Sequence, residues 1–228
     1  MWCALLAVPG YNIPVALGAR TVPAGQLGLI IATEPVFIVV LSLILNGQRI
    51  HRRLVAGSAL ALAGVALTSQ GPVTAQGFGV FSSLQVLGGA LSWSAYTVLA
   101  ARLNQRYGSA GVTGAILVVG TVMLLAISFP KIHAAAMPDS TTVAVLAGMG
   151  IASSMLGFLL WNYAGARVPA ERMGLMLYLI PIVCVLAGAG FLGESLTGYV
   201  AGGGVLTVFG VWMASRAPAA LPRKPILS

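Results

Sequence analysis

One acidic side chain lies deep within an apolar stretch of this chain, and it has the clearest chemical potential. Glu34 is followed by Pro35 in the segment from Val22 to Asn46. If this segment crosses a membrane, a charge near its centre costs roughly 2.5–3.5 kcal/mol on insertion scales, so Glu34 must face a polar interior. Two interpretations stay open. In the first, Glu34 binds a proton or a cation; in the second, it is a buried carboxyl that bonds the backbone loosened by Pro35.

Polar and aromatic residues at helical spacing form a second set of candidates. Gln85, Ser92 and Tyr96 fall on one face of a helix, and Trp93 extends that face. Such a lining suits a small amphipathic metabolite, although hydrogen bonds between packed helices use the same residue types. The full set of candidate substrate-binding residues is Glu34, Gln85, Ser92, Trp93, Tyr96, Asn162 and Tyr178.

Two prolines lie within apolar segments at Pro35 and Pro181. A proline inside a helix lacks the donor N–H and disturbs the hydrogen bond to the carbonyl four residues earlier. In transporters such breaks often border the binding site, whereas elsewhere they are kinks that neighbouring helices tolerate. Pro35 and Pro181 are therefore candidate hinge or gating positions, with a packing kink as the alternative.

No pattern of catalytic residues accompanies these candidates. Gly202-Gly203-Gly204 lies in an apolar segment without the lysine or the preceding strand of a phosphate-binding loop. His51 and His133 fall on opposite sides of the membrane in the topology given below, so they cannot share a metal. Cys3 and Cys184 show neither metal nor disulfide spacing. The sequence predicts no enzyme, no cofactor and no metal.

The composition places the chain in a membrane. Of its 228 residues, 58% are hydrophobic and 7% are charged, with a mean hydropathy of +0.97, whereas soluble domains carry about 25% charged residues. The net charge of +8 comes from basic residues in short breaks between apolar runs, which is a topology signal and not a nucleic-acid surface. We expect a lipid bilayer and a small-molecule metabolite as partners, and no nucleic acid.

Apolar runs of about 20 residues predict transmembrane helices. We expect an all-α, polytopic transmembrane bundle of about eight spans. The expected spans are Trp2–Ala19, Val22–Asn46, Leu54–Ser69, Gly79–Ala101, Gly111–Phe129, Thr142–Gly165, Met173–Leu192 and Tyr199–Ser215.

The basic residues predict the orientation of these spans. With the N-terminus in the cytoplasm, only Arg20 and Lys131 of the 12 Lys and Arg residues lie outside, as the positive-inside rule requires. Eight spans return the C-terminus to the cytoplasm, where residues 216–228 form a basic tail. This predicts a multi-pass protein of the cell inner (plasma) membrane with both termini cytoplasmic.

The last third of the chain repeats the first third. At a constant offset of 146 residues, 13 of the 48 positions from 22 to 69 are identical, and chance would give roughly half that number in so apolar a composition. Val22-Pro23-Ala24 recurs as Val168-Pro169-Ala170, and Pro35 corresponds to Pro181. In the expected topology the second span runs inwards and its partner, the seventh, runs outwards. Inverted repeats of this kind indicate alternating-access transport.

The repeat divides the chain unequally. Residues 1–70 form a partial first copy with three spans, and residues 79–215 form a second copy with five. Because spans six to eight match spans one to three, the second copy has two helices without a counterpart in the first. We expect either that two helices lie upstream of Met1 or that this is a reduced form of the architecture.

Short motifs follow one another in a specific order. They are Glu34-Pro35-Val36-Phe37, Gly47, Gly57 and Gly64-Val65 in the first copy, Ala90–Tyr96 between, and Pro181, Gly193-Glu194, Gly202-Gly203-Gly204 and Gly210-Val211 in the second. This order resembles the EamA domain of the drug/metabolite transporter superfamily. The resemblance implies ten helices in two inverted five-helix repeats that move small metabolites. The chain departs from it by lacking the first two helices and by reading Asn46-Gly47-Gln48-Arg49 where a Gly-Glu is expected.

The sequence thus predicts a secondary transporter that moves a small metabolite, such as an amino acid or a related compound, by alternating access. The alternative is a truncated paralogue that does not transport and serves as a structural membrane subunit or remnant. Whether two chains combine as a homodimer stays open.

Overall fold

The computed structural model describes residues 1–22, 24–46, 51–68, 80–132, 139–180, 183 and 198–216, which are almost entirely helical and include no β-strand. The predicted all-α bundle is confirmed. A π-helical segment, Gly150–Gly157, joins α8 to α9. The α-helices are α1 (Trp2–Ala7), α2 (Pro9–Gly18), α3 (Ala24–Ile31), α4 (Glu34–Asn46), α5 (Arg52–Thr68), α6 (Val80–Tyr107), α7 (Ser109–Ile132), α8 (Ser140–Met149), α9 (Phe158–Gly165), α10 (Ala170–Leu177) and α11 (Gly198–Ser215).

These helices correspond to the predicted spans. Within the described residues, 3 helical stretches are long and apolar enough to cross a membrane, and they match spans four to six: Phe81–Tyr107, Ser109–Phe129 and Ser140–Gly165. Shorter apolar helices match spans one, two and eight: Trp2–Gly18, Glu34–Leu45 and Ala201–Ser215. The second span is two helices, α3 and α4, separated by a turn. Much of the seventh span, including Pro181, lies outside the described residues.

Helices α5 and α11 are equivalent in the repeat, and they form the most extensive helix pair of the described structure. Glycines allow their backbones to touch. A Cβ atom added at Gly57 would lie 2.6 Å from the carbonyl oxygen of Gly210, and one added at Gly64 would lie 2.7 Å from that of Gly203. At the repeat offset of 146 residues, Gly57 corresponds to Gly203 and Gly64 corresponds to Gly210. Since Gly57 contacts Gly210 and Gly64 contacts Gly203, the repeat converts each contact into the other.

The residue at the centre of this crossing contacts its own repeat partner. The Thr207 hydroxyl lies 3.4 Å from the carbonyl oxygen of Ala61, 146 residues earlier. The contacts run forward along α5 and backward along α11, so the two helices are antiparallel. Equivalent antiparallel helices are related by a two-fold axis perpendicular to both. The predicted inversion of the two copies is confirmed, with its axis near Ala61 and Thr207.

The backbone is broken at repeat-equivalent places in the second and seventh spans. The Thr33 N–H donates to the Ile30 carbonyl at 3.1 Å, and 146 residues later the Leu179 N–H donates to the Met176 carbonyl at 3.0 Å. Such bonds, from one residue to the third before it, tighten the end of a helix. Each break comes two residues before a proline of the repeat. The helix break is thus a property of both copies.

The first and sixth spans are also irregular. In the first span, α1 ends at Ala7, and Val8 follows with φ −105° and ψ −78°, directly before Pro9. In the sixth span, the segment Gly150–Gly157 is π-helical. π-helical turns frequently mark functional sites in proteins. Spans one, two, six and seven therefore all contain irregular backbone.

The glycine crossing predicts a strong positional effect of added volume. In Gly210→Leu the new Cβ atom would lie 2.7 Å from the Gly57 carbonyl oxygen. Because a backbone atom cannot rotate aside as a side chain can, we expect the free energy of unfolding to fall by about 1–3 kcal/mol or more. Gly204→Leu is the matched control, because nothing lies within 4 Å of a Cβ atom added there. Thermal unfolding of both purified variants in detergent checks this. Equal losses in the two variants would contradict the proposed contact.

Candidate functional site

An aromatic cluster joins the first, fourth and sixth spans. The Trp93 indole of α6 lies 5.3 Å from the ring of Tyr11, 5.1 Å from that of Tyr96, 5.5 Å from that of Phe158 and 6.0 Å from that of Trp161, measured between centroids. These separations lie in the range at which aromatic rings attract one another. The cluster forms an apolar wall that joins α2, α6 and α9.

A buried hydrogen-bond network lies beside this wall. Its centre is Asn162 of α9, which is 1% exposed. The Tyr96 hydroxyl and the Asn104 amide donate to Asn162 Oδ1 at 3.1 and 2.8 Å, while Asn162 Nδ2 donates to Thr113 Oγ1 and to the Phe158 carbonyl, both at 3.0 Å. These four bonds use the whole capacity of the amide. Asn162 ties α6, α7 and α9 together, and a ligand would have to open this network to reach it.

The predicted polar face of α6 packs largely against α2. A Cβ atom added at Gly89 would lie 3.1 Å from the Tyr11 carbonyl oxygen, and one added at Gly10 would lie 2.8 Å from Ser92 Oγ. Ser92 therefore faces the backbone of α2, and Gln85 lies half-buried one turn before Gly89 on the same helix. This placement is typical of a contact between packed helices, the alternative that the sequence left open for Ser92.

Glu34 is buried at the break of the second span. It is the first residue of α4, is 4% exposed, and its Oε1 atom has no hydrogen-bond partner among the described residues. The Ser94 hydroxyl lies 3.1 Å from the Glu34 carbonyl oxygen and 2.8 Å from that of Ala90, which ties the break to α6. Pro35, less than 2% exposed, is buried beside Glu34.

Tyr178 occupies the equivalent break of the seventh span. It lies in the turn that follows α10, is 1% exposed, and its hydroxyl has no hydrogen-bond partner in the described part of the chain. Its ring belongs to the same apolar cluster as Ala32, which is its repeat partner, together with Val39 and Leu175. A buried polar atom without a partner is rare in folded proteins and calls for an explanation.

The structure divides the sequence-predicted residues into groups. Trp93, Tyr96 and Asn162 meet in one network; Glu34 and Pro35 lie at one helix break and Tyr178 at the other; Gln85 and Ser92 lie on the face of α6 towards α2. Pro181 lies outside the described residues. Sequence reasoning did not select several residues that surround these groups, namely Tyr11, Ser94, Asn104, Thr113 and Phe158. Tyr11 lies one residue beyond Gly10 and close to Pro14, a combination that marks an irregular apolar helix and was the available signal.

Comparison with known proteins decides the family. Residues 2–70 and 80–216 match the EamA-like transporter family. The chain belongs to this family. EamA members are integral membrane transporters, so this is a multi-pass membrane protein of transporter type.

Relatives and a solved structure agree with this membership. The chain is 31% identical over 216 residues to a "Probable terminal-alkyne amino-acid exporter" of Streptantibioticus cattleyicolor, covering 94% of this chain and 71% of the relative. It is 23% identical over 222 residues to a "Probable amino-acid metabolite efflux pump" of Salmonella typhimurium, covering 90% and 74%. A crystal structure matches with a TM-score of 0.78 at 24% identity, over 93% of this chain and 75% of that one. That likeness shows the fold.

The Asn162 network predicts a structural role for this amide. Asn162→Leu would leave the Tyr96 hydroxyl and the Asn104 and Thr113 side chains without their shared partner, at about 1–3 kcal/mol for each group left unsatisfied. We expect a marked fall in thermal stability in detergent. Gln105→Leu is the control, because it also replaces a side-chain amide by leucine, but at an exposed position of α6. A melting temperature of Asn162→Leu equal to that of the control would count against the network.

Proposed function

We propose that this chain is a secondary transporter that moves a small metabolite, such as an amino acid or a related compound, across the cell inner membrane by alternating access. One observation carries the proposal: the matched helix breaks before Pro35 and Pro181, in copies related by a two-fold axis. A site between inverted copies can open to either side when one copy rocks against the other. The names of the two exporter-like relatives support an amino-acid substrate.

The candidate residues from the sequence take roles in this proposal. Glu34, Tyr178, Trp93 and Tyr96 line or border the substrate site. Gln85 and Ser92 support it from α6 and Asn162 supports it from α9, while Pro35 and Pro181 act as the hinges. The partial first copy is residues 1–70 and the second copy is residues 79–215. Both termini lie in the cytoplasm, residues 216–228 forming the basic tail. A homodimer remains compatible with this arrangement.

A counterflow measurement tests the proposal. The purified chain is reconstituted into liposomes that are loaded with unlabelled L-leucine and diluted into tracer L-leucine. We expect tracer to accumulate inside transiently, and an alkyne-bearing amino acid such as L-propargylglycine to compete with it. Protein-free liposomes give the background. If a folded, reconstituted chain accumulates neither amino acid, the alternative of a non-transporting membrane subunit is favoured.

The hinge role of Pro35 is tested by restoring the helix. Pro35 lies in the first turn of α4, where proline is tolerated, so Pro35→Ala should change the melting temperature little. It restores an N–H that can donate to the Ile31 carbonyl, so it should slow counterflow, because the break becomes harder to bend. Pro14→Ala is the control, since Pro14 lies inside α2 and outside the broken second span. Undiminished counterflow in Pro35→Ala, at equal protein content, would leave Pro35 as a packing kink.

A further inference from the structure

Two buried polar groups without partners lie at the two helix breaks. Glu34 Oε1 and the Tyr178 hydroxyl both lack hydrogen-bond partners among the described residues, at 4% and 1% side-chain exposure. Three other buried side-chain oxygens of the described residues also lack partners, those of Ser42, Ser58 and Asn104, but these lie within helices and not at a break. The missing partners at both breaks point to a group that is supplied from outside the chain.

The two groups lie at the same depth. A Cβ atom added at Gly174 would lie 3.1–3.3 Å from three side-chain atoms of Ile38, so α10 touches α4 at this point. Glu34 lies one turn before Ile38, and Tyr178 lies one turn after Gly174. In the expected topology successive spans alternate in direction, so α4 and α10 run antiparallel. Moving back one turn along α4 and forward one turn along α10 then leads to the same side of the Ile38–Gly174 contact, which puts Glu34 and Tyr178 at the same level.

The chemistry of the two groups fits a cationic nitrogen. A carboxylate oxygen and a phenol oxygen are acceptors, and an alkylammonium group has three donors. Ser94, the residue after Trp93, lies 3.1 Å from the Glu34 carbonyl oxygen. The rings of Trp93 and Tyr11 lie 5.3 Å apart, and aromatic faces attract cations.

We propose that Glu34 and Tyr178 form a subsite for the protonated amino group of the transported molecule. This inference rests on the proposed transport function and names the chemical class that it selects: primary ammonium compounds, with or without a carboxylate. A buried carboxylate is costly in a membrane unless it is paired, and an ammonium group supplies the opposite charge together with the missing donors. The apolar remainder of the ligand lies against the aromatic cluster.

The selectivity follows from this geometry. L-Leucine carries an ammonium and a carboxylate group, 3-methylbutylamine is the same molecule without the carboxylate, and 2-hydroxy-4-methylpentanoate replaces the amine by a hydroxyl. Hydrogen bonds to charged groups are among the strongest in proteins. We expect the two amines to bind and the hydroxy acid to bind about tenfold more weakly or worse.

The test is calorimetric binding of these three compounds to the purified full chain in lipid nanodiscs. Glu34→Gln keeps the shape of the side chain and removes its charge, so it should weaken both amines about tenfold or more and leave the hydroxy acid unchanged. Tyr178→Phe should weaken the amines by a smaller factor. Glu171→Gln is the matched control, because Glu171 is also a buried carboxyl, 8% exposed, but lies in the first turn of α10.

The inference is overturned if the hydroxy acid binds as tightly as leucine, if neither amine binds, or if Glu34→Gln keeps its affinity for the amines. The last result, combined with lost counterflow, would make Glu34 a proton carrier only. Should Glu34→Gln fail to fold, the ligand series and Tyr178→Phe decide the matter. If the amines bind but leucine shows no counterflow, the transport function is refuted and the subsite stands. If leucine counterflow is the same in Glu34→Gln as in the original chain, the subsite is refuted and the transport function stands.

Discussion

The crossing of α5 and α11 is the contact on which the architecture depends. In lipid, helices gain no hydrophobic free energy by associating, so close packing of small residues provides the attraction. Here glycines at repeat-equivalent positions bring two equivalent backbones into contact, with Ala61 and Thr207 at the centre. This crossing determines how one copy is oriented relative to the other. It also places the partner helices of each copy, α4 and α10, side by side.

The irregular backbone of this protein is confined to its interior for a physical reason. Lipid offers no water to hydrogen-bond a freed carbonyl, so broken helices are tolerated only where they face protein or a cavity. The breaks before Pro35 and Pro181 follow this rule: Glu34, Pro35 and Tyr178 are all buried. A break there weakens the spans where the two copies meet. The same residues that loosen the helices are thus available to line a site between them.

Sequence reasoning predicted the repeat, the helical bundle and the breaks, because each leaves a local or periodic signal. Proline interrupts a helix wherever it lies, and identities at a constant offset report a duplicated fold. It did not predict which face of α6 packs on α2, because a cavity and a helix contact both favour residues such as Ser92 and Gly89. It also missed Asn104 and Thr113, whose role arises from meeting Asn162 across 58 and 49 residues of sequence. No local pattern encodes such a meeting.

Asn162 and Glu34 show two opposite solutions for a polar group in an apolar protein. The amide of Asn162 is saturated by its neighbours, and its hydrogen bonds tie α6, α7 and α9 to one another. The carboxyl of Glu34 keeps an open acceptor at a place where the helix is already broken. A saturated network cannot respond to a ligand without losing bonds, whereas an unsatisfied group at a weak point gains them. In the proposed alternating-access cycle the two kinds of group have complementary roles. The satisfied network would keep its part of the bundle rigid, and the unsatisfied pair would let ligand binding change the relative energies of the conformations.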